Sequence, residues 1–393
     1  MKALILNSGL GHRMGAITKE PPKCTSLLFE KTMDKNMRSV SILHKLGLLE
    51  LVIILSSLAT LVSCDKLPED VIITEIPNYY FENDYLDNRV DAINNAIVEC
   101  SDSCETFFWI TDMHWEPDLN TRVSPLLIKY IASKTGINKI LNGGDTGNSQ
   151  VICKNAILQL RNAIGSNNVY TVNGNHEIAD ATNYEKPFDR VAEELRGHND
   201  DIFYGDRDKS YFYFDDNKKK TRYIGLSSFG LYINEDYESC YTNEQLLWFK
   251  NDALCVNQGW SIVIFSHTLY YVSIDSDLLY PSPTGAENFI DVIDNYKGNG
   301  SIVCVLMGHA HKDRIHIGSS SVPYIISASD RHAPYQGDIN VQRVPGTISE
   351  QHFETVVIDK KNRLIKLFSI GANARDGYDN DPGKEVDVRI VNY

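Results

Sequence analysis

Phe107-Phe108-Trp109-Ile110-Thr111-Asp112-Met113-His114 runs from four large apolar side chains to a carboxylate and an imidazole within eight residues. A run of that kind suits a strand covered on both faces. Its polar pair then falls just past the strand's end. Working outward, the same pattern returns four times. Strand-like residues 139–141 lead to Gly143-Gly144-Asp145, and residues 169–172 lead to Gly174-Asn175-His176-Glu177. Residues 261–265 lead to Ser266-His267, and residues 302–306 to Gly308-His309-Ala310-His311.

Helical patterns alternate with these strands. Residues 86–100 place Val90, Ile93 and Ile97 at helical spacing. Ser124-Pro125 supplies a capping serine and a first-turn proline to a helix that stops at Gly136. Further helices are expected over 150–164, 243–254 and 287–296, and hairpins from 211–214 with 222–226 and from 353–358 with 364–370. The order predicts a layered α/β domain with a mixed sheet. In such sheets, loops beyond the carboxyl ends of parallel strands converge on one crevice. Asp112 and His311 can therefore meet although about 200 residues separate them.

A single strand-end histidine or Gly-Asp turn is ordinary. Five successive strand ends that offer only oxygen and imidazole donors point to bound metal. Asp112-Met113-His114, Gly144-Asp145-Thr146-Gly147-Asn148, Gly174-Asn175-His176-Glu177, Ser266-His267 and Gly308-His309-Ala310-His311 together resemble the five ordered motifs of calcineurin-like metallophosphoesterases, with about thirty residues between successive members of the first three. The resemblance covers residues 107–368. It implies a four-layer α-β-β-α sandwich of mixed sheets flanked by helices, carrying two metal ions at its edge. Carried over by position, Asp112, His114, Asp145 and His311 bind the first metal; Asp145 bridges to the second, which Asn175, His267 and His309 complete. His176 faces the substrate phosphate as the catalytic group. Glu177, where the family often has Asp, and Leu269, where it often has Pro, bear on loop shape.

An imidazole-rich set with few carboxylates suits Mn, Fe or Zn better than Mg or Ca. Trp115, Tyr270 and Tyr271 sit beside ligands and either wall a substrate pocket or pack. Arg331 and His332 follow an expected strand over 324–327 and are candidate substrate contacts. Cys100 and Cys104, among eight cysteines, are spaced for a local bridge, a metal pair or two free thiols.

The net charge of -14 excludes broad binding to nucleic-acid backbones and leaves a phosphate-ester substrate dependent on local positive charge. Residues 46–62 form the longest apolar run. It follows Lys35, Arg38 and Lys45 and ends in Leu61-Val62-Ser63-Cys64, the layout of an export signal over 37–64. Those last four residues resemble the lipobox of bacterial lipoproteins, which makes Cys64 a lipidation site and the protein an extracytoplasmic lipoprotein anchored in the membrane or secreted. Residues 65–84 read as a polar tether and 85–393 as the folded domain. The opening 25 residues resemble the phosphate loop of sugar-phosphate nucleotidyltransferases, so residues 1–36 read as a fused fragment or a misplaced start. The expected function is metal-dependent phosphoester hydrolysis, with a diester favoured over a monoester. The alternatives are a non-catalytic substrate-binding lipoprotein of the same fold and a cytoplasmic nucleotidyltransferase fusion.

Overall fold

A computed structural model describes residues 74–393, apart from 101–103, 116–122, 148–149, 180–201, 207–209, 230, 234–235, 239, 270–282, 332–342 and 379–382. The fragment, export signal and Cys64 expected within residues 1–64 lie outside the described residues.

In chain order the first half runs α1 (Tyr85–Cys100), β1 (Cys104–Ile110), α2 (Val123–Thr135), β2 (Ile140–Asn142), α3 (Gln150–Ile164), β3 (Val169–Thr171) and the short α4 (Asn175–Ala179). It continues through β4 (Ile202–Tyr204), β5 (Phe212–Asp216), β6 (Thr221–Leu226), the small hairpin β7 (Leu231–Ile233) and β8 (Asp236–Glu238), and α5 (Asn243–Trp248). Then follow β9 (Ser261–Ser266), α6 (Ala286–Asp294), β10 (Ser301–Met307), β11 (Arg314–Ile317) and β12 (Pro323–Ile326). The chain closes with β13 (His352–Asp359), β14 (Leu364–Gly371), the short pair β15 (Ala374–Arg375) and β16 (Glu385–Val386), and β17 (Val388–Asn392).

Two mixed sheets result, ordered β17-β14-β13-β1-β2-β3 and β11-β12-β10-β9-β6-β5-β4. Strands β1, β2 and β3 are parallel in the first sheet, and β6, β9, β10 and β12 in the second. Strand periodicity explains the layering, because successive side chains point to opposite faces. Phe107 and Trp109 enter the core between the sheets with Phe212, Phe265 and Leu306. Phe108 and Ile110 face the other way, against Ile93, Leu127 and Leu160 of α1, α2 and α3. On the second sheet Ile262, Ile264 and Val305 turn outward to Trp248 of α5 and Phe289 of α6. The layers are helix, sheet, sheet, helix, as the resemblance implied.

Several local expectations shift. Packing begins before Tyr85, since Tyr80 is fully buried and its hydroxyl donates to Gln351 Oε1 at 2.6 Å. Ser124 lies inside α2 rather than capping it, and its hydroxyl donates to the buried Asp330 carboxylate at 2.6 Å. The helix expected over 243–254 is α5 followed by one π-helical turn, Phe249–Ala253. Cys100 and Cys104 are unbridged and buried, with their thiols in mutual contact. Trp115 joins the core under α2 and α3, so its indole packs instead of walling a pocket. Arg389, on the unforeseen β17, is fully buried against Glu354 at 2.7 Å and lies 3.8 Å from Asp313, which ties the segment after His311 to the chain's last strand.

Candidate dinuclear metal centre

The parallel pairing of β1 and β2 continues past both strands. Asp112 N donates to Gly144 O, His114 N to Asp145 O and Trp115 N to Thr146 O, all at 2.8–2.9 Å. This zipper carries the first two polar clusters side by side. Gly308 N donates to His267 O at 3.0 Å, which brings the loop after β10 onto the end of β9. Gly308 has to be glycine, because a Cβ there would lie 1.9 Å from Thr111 Oγ1 and 2.2 Å from Asp112 Oδ2.

Asp112, His114, Asp145, His309 and His311 all adopt left-handed backbone, with φ between 40 and 65°. Such conformations cost about 1–3 kcal/mol each in non-glycine residues and persist where the surroundings over-determine them, often at functional sites. Here the side chains supply that constraint. Asp112 Oδ2 accepts from Thr111 Oγ1 at 2.6 Å and from His309 N at 2.9 Å. Its other oxygen, Oδ1, is buried without a hydrogen bond and faces His311 Nε2 at 3.2 Å and His267 Nε2 at 4.0 Å.

Donor atoms crowd together in two groups. Asp112, His114, Asp145 and His311 form one, and Asp145, His267 and His309 the other, with ligand atoms within 4.8 Å of one another in each. Asp145 is common to both. His114 Nε2 lies 3.0 Å from His311 Nε2, and His267 Nε2 lies 3.0 Å from His309 Nδ1 and 3.2 Å from Asn175 Oδ1. The carbonyl of Gly143, which can only accept, fixes the His267 proton on Nδ1 at 2.8 Å. Its Nε2 is thereby left to face the Asp145 carboxylate, 3.4 Å from Oδ2.

The electrostatics call for positive charge in this space. Burial raises the pKa of Asp112, but the imidazoles of His311 and His267 outweigh it and hold the carboxyl well below its usual range. Asp145 is depressed in the same way, burial being overcome by His267 and His114. Burial would lower His267, yet the Asp145 and Asp112 carboxylates raise it to about 10. Burial brings His114 and His309 down to about 4, leaving neutral imidazoles, the form that ligates a metal. Two buried carboxylates and inward-facing imidazoles fit divalent cations, which would meet the orphaned Asp112 oxygen and relieve the close approach of ring nitrogens.

A model of the calcineurin-like phosphoesterase family matches residues 106–313, more than half of the chain. The chain belongs to the calcineurin-like phosphoesterases. As a member, it is a metal-dependent phosphoester hydrolase working with two divalent metal ions. Three solved structures are similar to this phosphoesterase. A dimetal phosphatase from Danio rerio is 14% identical with a TM-score of 0.46, over 73% of this chain and 98% of that one. A purple acid phosphatase from yellow lupin (Lupinus luteus) is 12% identical with a TM-score of 0.45, over 75% of this chain and 54% of that one. A 5'-nucleotidase from Candida albicans is 14% identical with a TM-score of 0.34, over 57% of this chain and 45% of that one. No curated protein matches significantly.

Other expected site residues are placed unevenly in the phosphoesterase. His176 stands beside the cluster, its ring centroid 4.6 Å from that of His114 and its Nε2 3.8 Å from Asp145 Oδ2. With its side chain 38% exposed, against 0% for His267 and 14% for His311, it is more open to solvent than those two donors. Arg331 is half-buried against the same centre, its Nη1 donating to His114 O at 3.4 Å. Tyr270, Tyr271 and His332 lie outside the described residues.

Asn142 escaped the sequence reading, and Glu177 entered it only as a residue bearing on loop shape. Asn142, the last of β2, accepts from Gly144 N and donates to Thr146 Oγ1, so it shapes the turn that presents Asp145. Glu177 is 5% exposed and accepts three backbone N–H groups around Asp145 and Gly174. A signal for Glu177 was present, since a Glu three residues after a helix's first flanking residue is half of a capping box. Its reach to residues 145 and 146 has no local signal.

Proposed function

We propose that this phosphoesterase is an exported, membrane-anchored enzyme whose two divalent cations are drawn from Mn, Fe and Zn. Asp112, His114, Asp145 and His311 hold one cation, and Asp145, Asn175, His267 and His309 the other. The observation that carries this reading is the convergence of two buried donor groups on one carboxylate, Asp145. Donors dominated by imidazole favour borderline transition metals over Mg or Ca. Two divalent cations in such a centre lower the pKa of a shared water and neutralise the phosphoryl oxygens. The chain does the rest. Gly143 keeps His267 Nε2 pointed inward, and Thr111 and His309 N–H turn Asp112 so that Oδ1 faces the cluster. His176, at the open side, donates a proton to the leaving alkoxide, and the Arg331 guanidinium adds local positive charge that the chain's net charge of -14 does not supply.

A phosphodiester is the favoured substrate, because an enzyme outside the membrane meets lipids, wall polymers and nucleotides. After chelation, phosphomonoesters, phosphodiesters and pyrophosphates are each assayed with Mn, Fe or Zn restored. Expected is hydrolysis that vanishes on chelation, returns with metal and is fastest on diesters. Faster monoester turnover rejects the diester preference, and metal-independent hydrolysis rejects the metal reading.

Anchoring at Cys64 is supported by the basic-then-apolar segment ending in Leu61-Val62-Ser63-Cys64. Mass measurement of membrane-extracted protein is expected to show a chain that starts at a lipidated Cys64. A mature chain retaining residues 1–36 overturns the export reading.

A further inference from the structure

We propose that Glu177 is a positioning residue that sets the spacing of the two cation sites by locking the loop of the shared ligand to the loop of the second site. The proposal rests on the dinuclear reading above. Glu177 belongs to neither donor group, yet its carboxylate is buried directly behind Asp145. Its Oε1 accepts from Thr146 N at 2.5 Å, and its Oε2 from Asp145 N at 2.9 Å and Gly174 N at 2.6 Å. One side chain thus holds both the turn after β2, which presents Asp145, and the turn after β3, which presents Asn175.

The locked turns fit with little slack. A Cβ on Gly174 would lie 2.1 Å from Asp145 Oδ1, so only glycine admits this approach. Across the same junction His176 N donates to Asp145 Oδ1 at 2.8 Å. With Oδ1 held from the β3 side, Oδ2 is left toward His267 Nε2 at 3.4 Å. Oδ2 is the oxygen left on the side of the donor groups, so a small rotation of the left-handed Asp145 backbone, at φ 49°, would shift it relative to both sites. Three convergent N–H groups oppose that rotation. They require a carboxylate: glutamine offers one acceptor oxygen and turns an NH₂ group toward at least one backbone N–H.

The test uses the full chain loaded with Mn(II), with electron paramagnetic resonance reporting magnetic coupling between neighbouring ions. In the wild type two coupled Mn(II) per chain are expected. In E177Q the affinity for the second ion is expected to fall about 10–100-fold, as outer-shell substitutions do. Single-ion signals replace the coupled spectrum, and kcat drops with KM little changed. A side chain important only for folding would lower Tm while leaving the coupled spectrum intact well below it. If E177Q does not fold, E177A prepared with formate, which refills the hole with a carboxylate, carries the test. Coupling lost when formate is removed from the folded variant supports the proposal. Coupling that survives the removal, or an E177Q spectrum like the wild type's, overturns it alone. A wild type without coupled ions instead sinks the dinuclear reading, and this proposal with it.

Discussion

Asp145→Asn is expected to lower phosphoester turnover by ~10³-fold or more, about 4 kcal/mol of barrier, and to reduce bound metal from two ions per chain to at most one. The substitution tests the shared ligand with little disturbance to the fold. Asparagine tolerates the left-handed backbone that Asp145 adopts, and the Asp145 N–H keeps its bond to Glu177. What changes is chemical. An amide carries no charge, so at the position common to both donor groups it cannot supply the negative charge that raises His267 and that two cations require. Metal analysis alongside steady-state kinetics gives the check. An Asn variant that holds two ions and turns over at the parental rate removes Asp145 from its bridging role.

His176→Ala is expected to reduce kcat by about 10²–10⁴-fold, the usual range for a lost general acid, with two ions still bound. His176 is partly exposed, and its backbone N–H, the group that holds Asp145 Oδ1, survives the substitution. The loss should shrink for esters of acidic alcohols, whose alkoxides leave without a proton. Kinetics on a series of aryl and alkyl esters reads this directly. A variant as fast as the parent on poor leaving groups ends the assignment, and one that loses metal recasts His176 as a structural partner of the cluster.

How much was legible in advance follows the range of the forces involved. Residues 107–110 announced a strand buried on both faces, and alternation then divided Phe107 and Trp109 from Phe108 and Ile110. The strands at β2, β3, β9 and β10 and the hairpin of β13 with β14 were equally plain, being apolar and bounded by turns. The edge strands β4, β11 and β17 were not. They are short, with three, four and five residues, and are held by their neighbours more than by their own composition. Ser124 looked like a cap because serine commonly is one; a buried carboxylate more than 200 residues away claimed its hydroxyl instead.

The sequence alone determined the identity of the donor side chains and their place at strand ends, because side-chain chemistry and strand periodicity are local properties. Tertiary structure alone decided that Asp145 is common to both donor groups, that Trp115 is core, and that Glu177 clasps two turns. Those facts depend on distances of a few ångströms between segments remote in the chain, which no local pattern encodes.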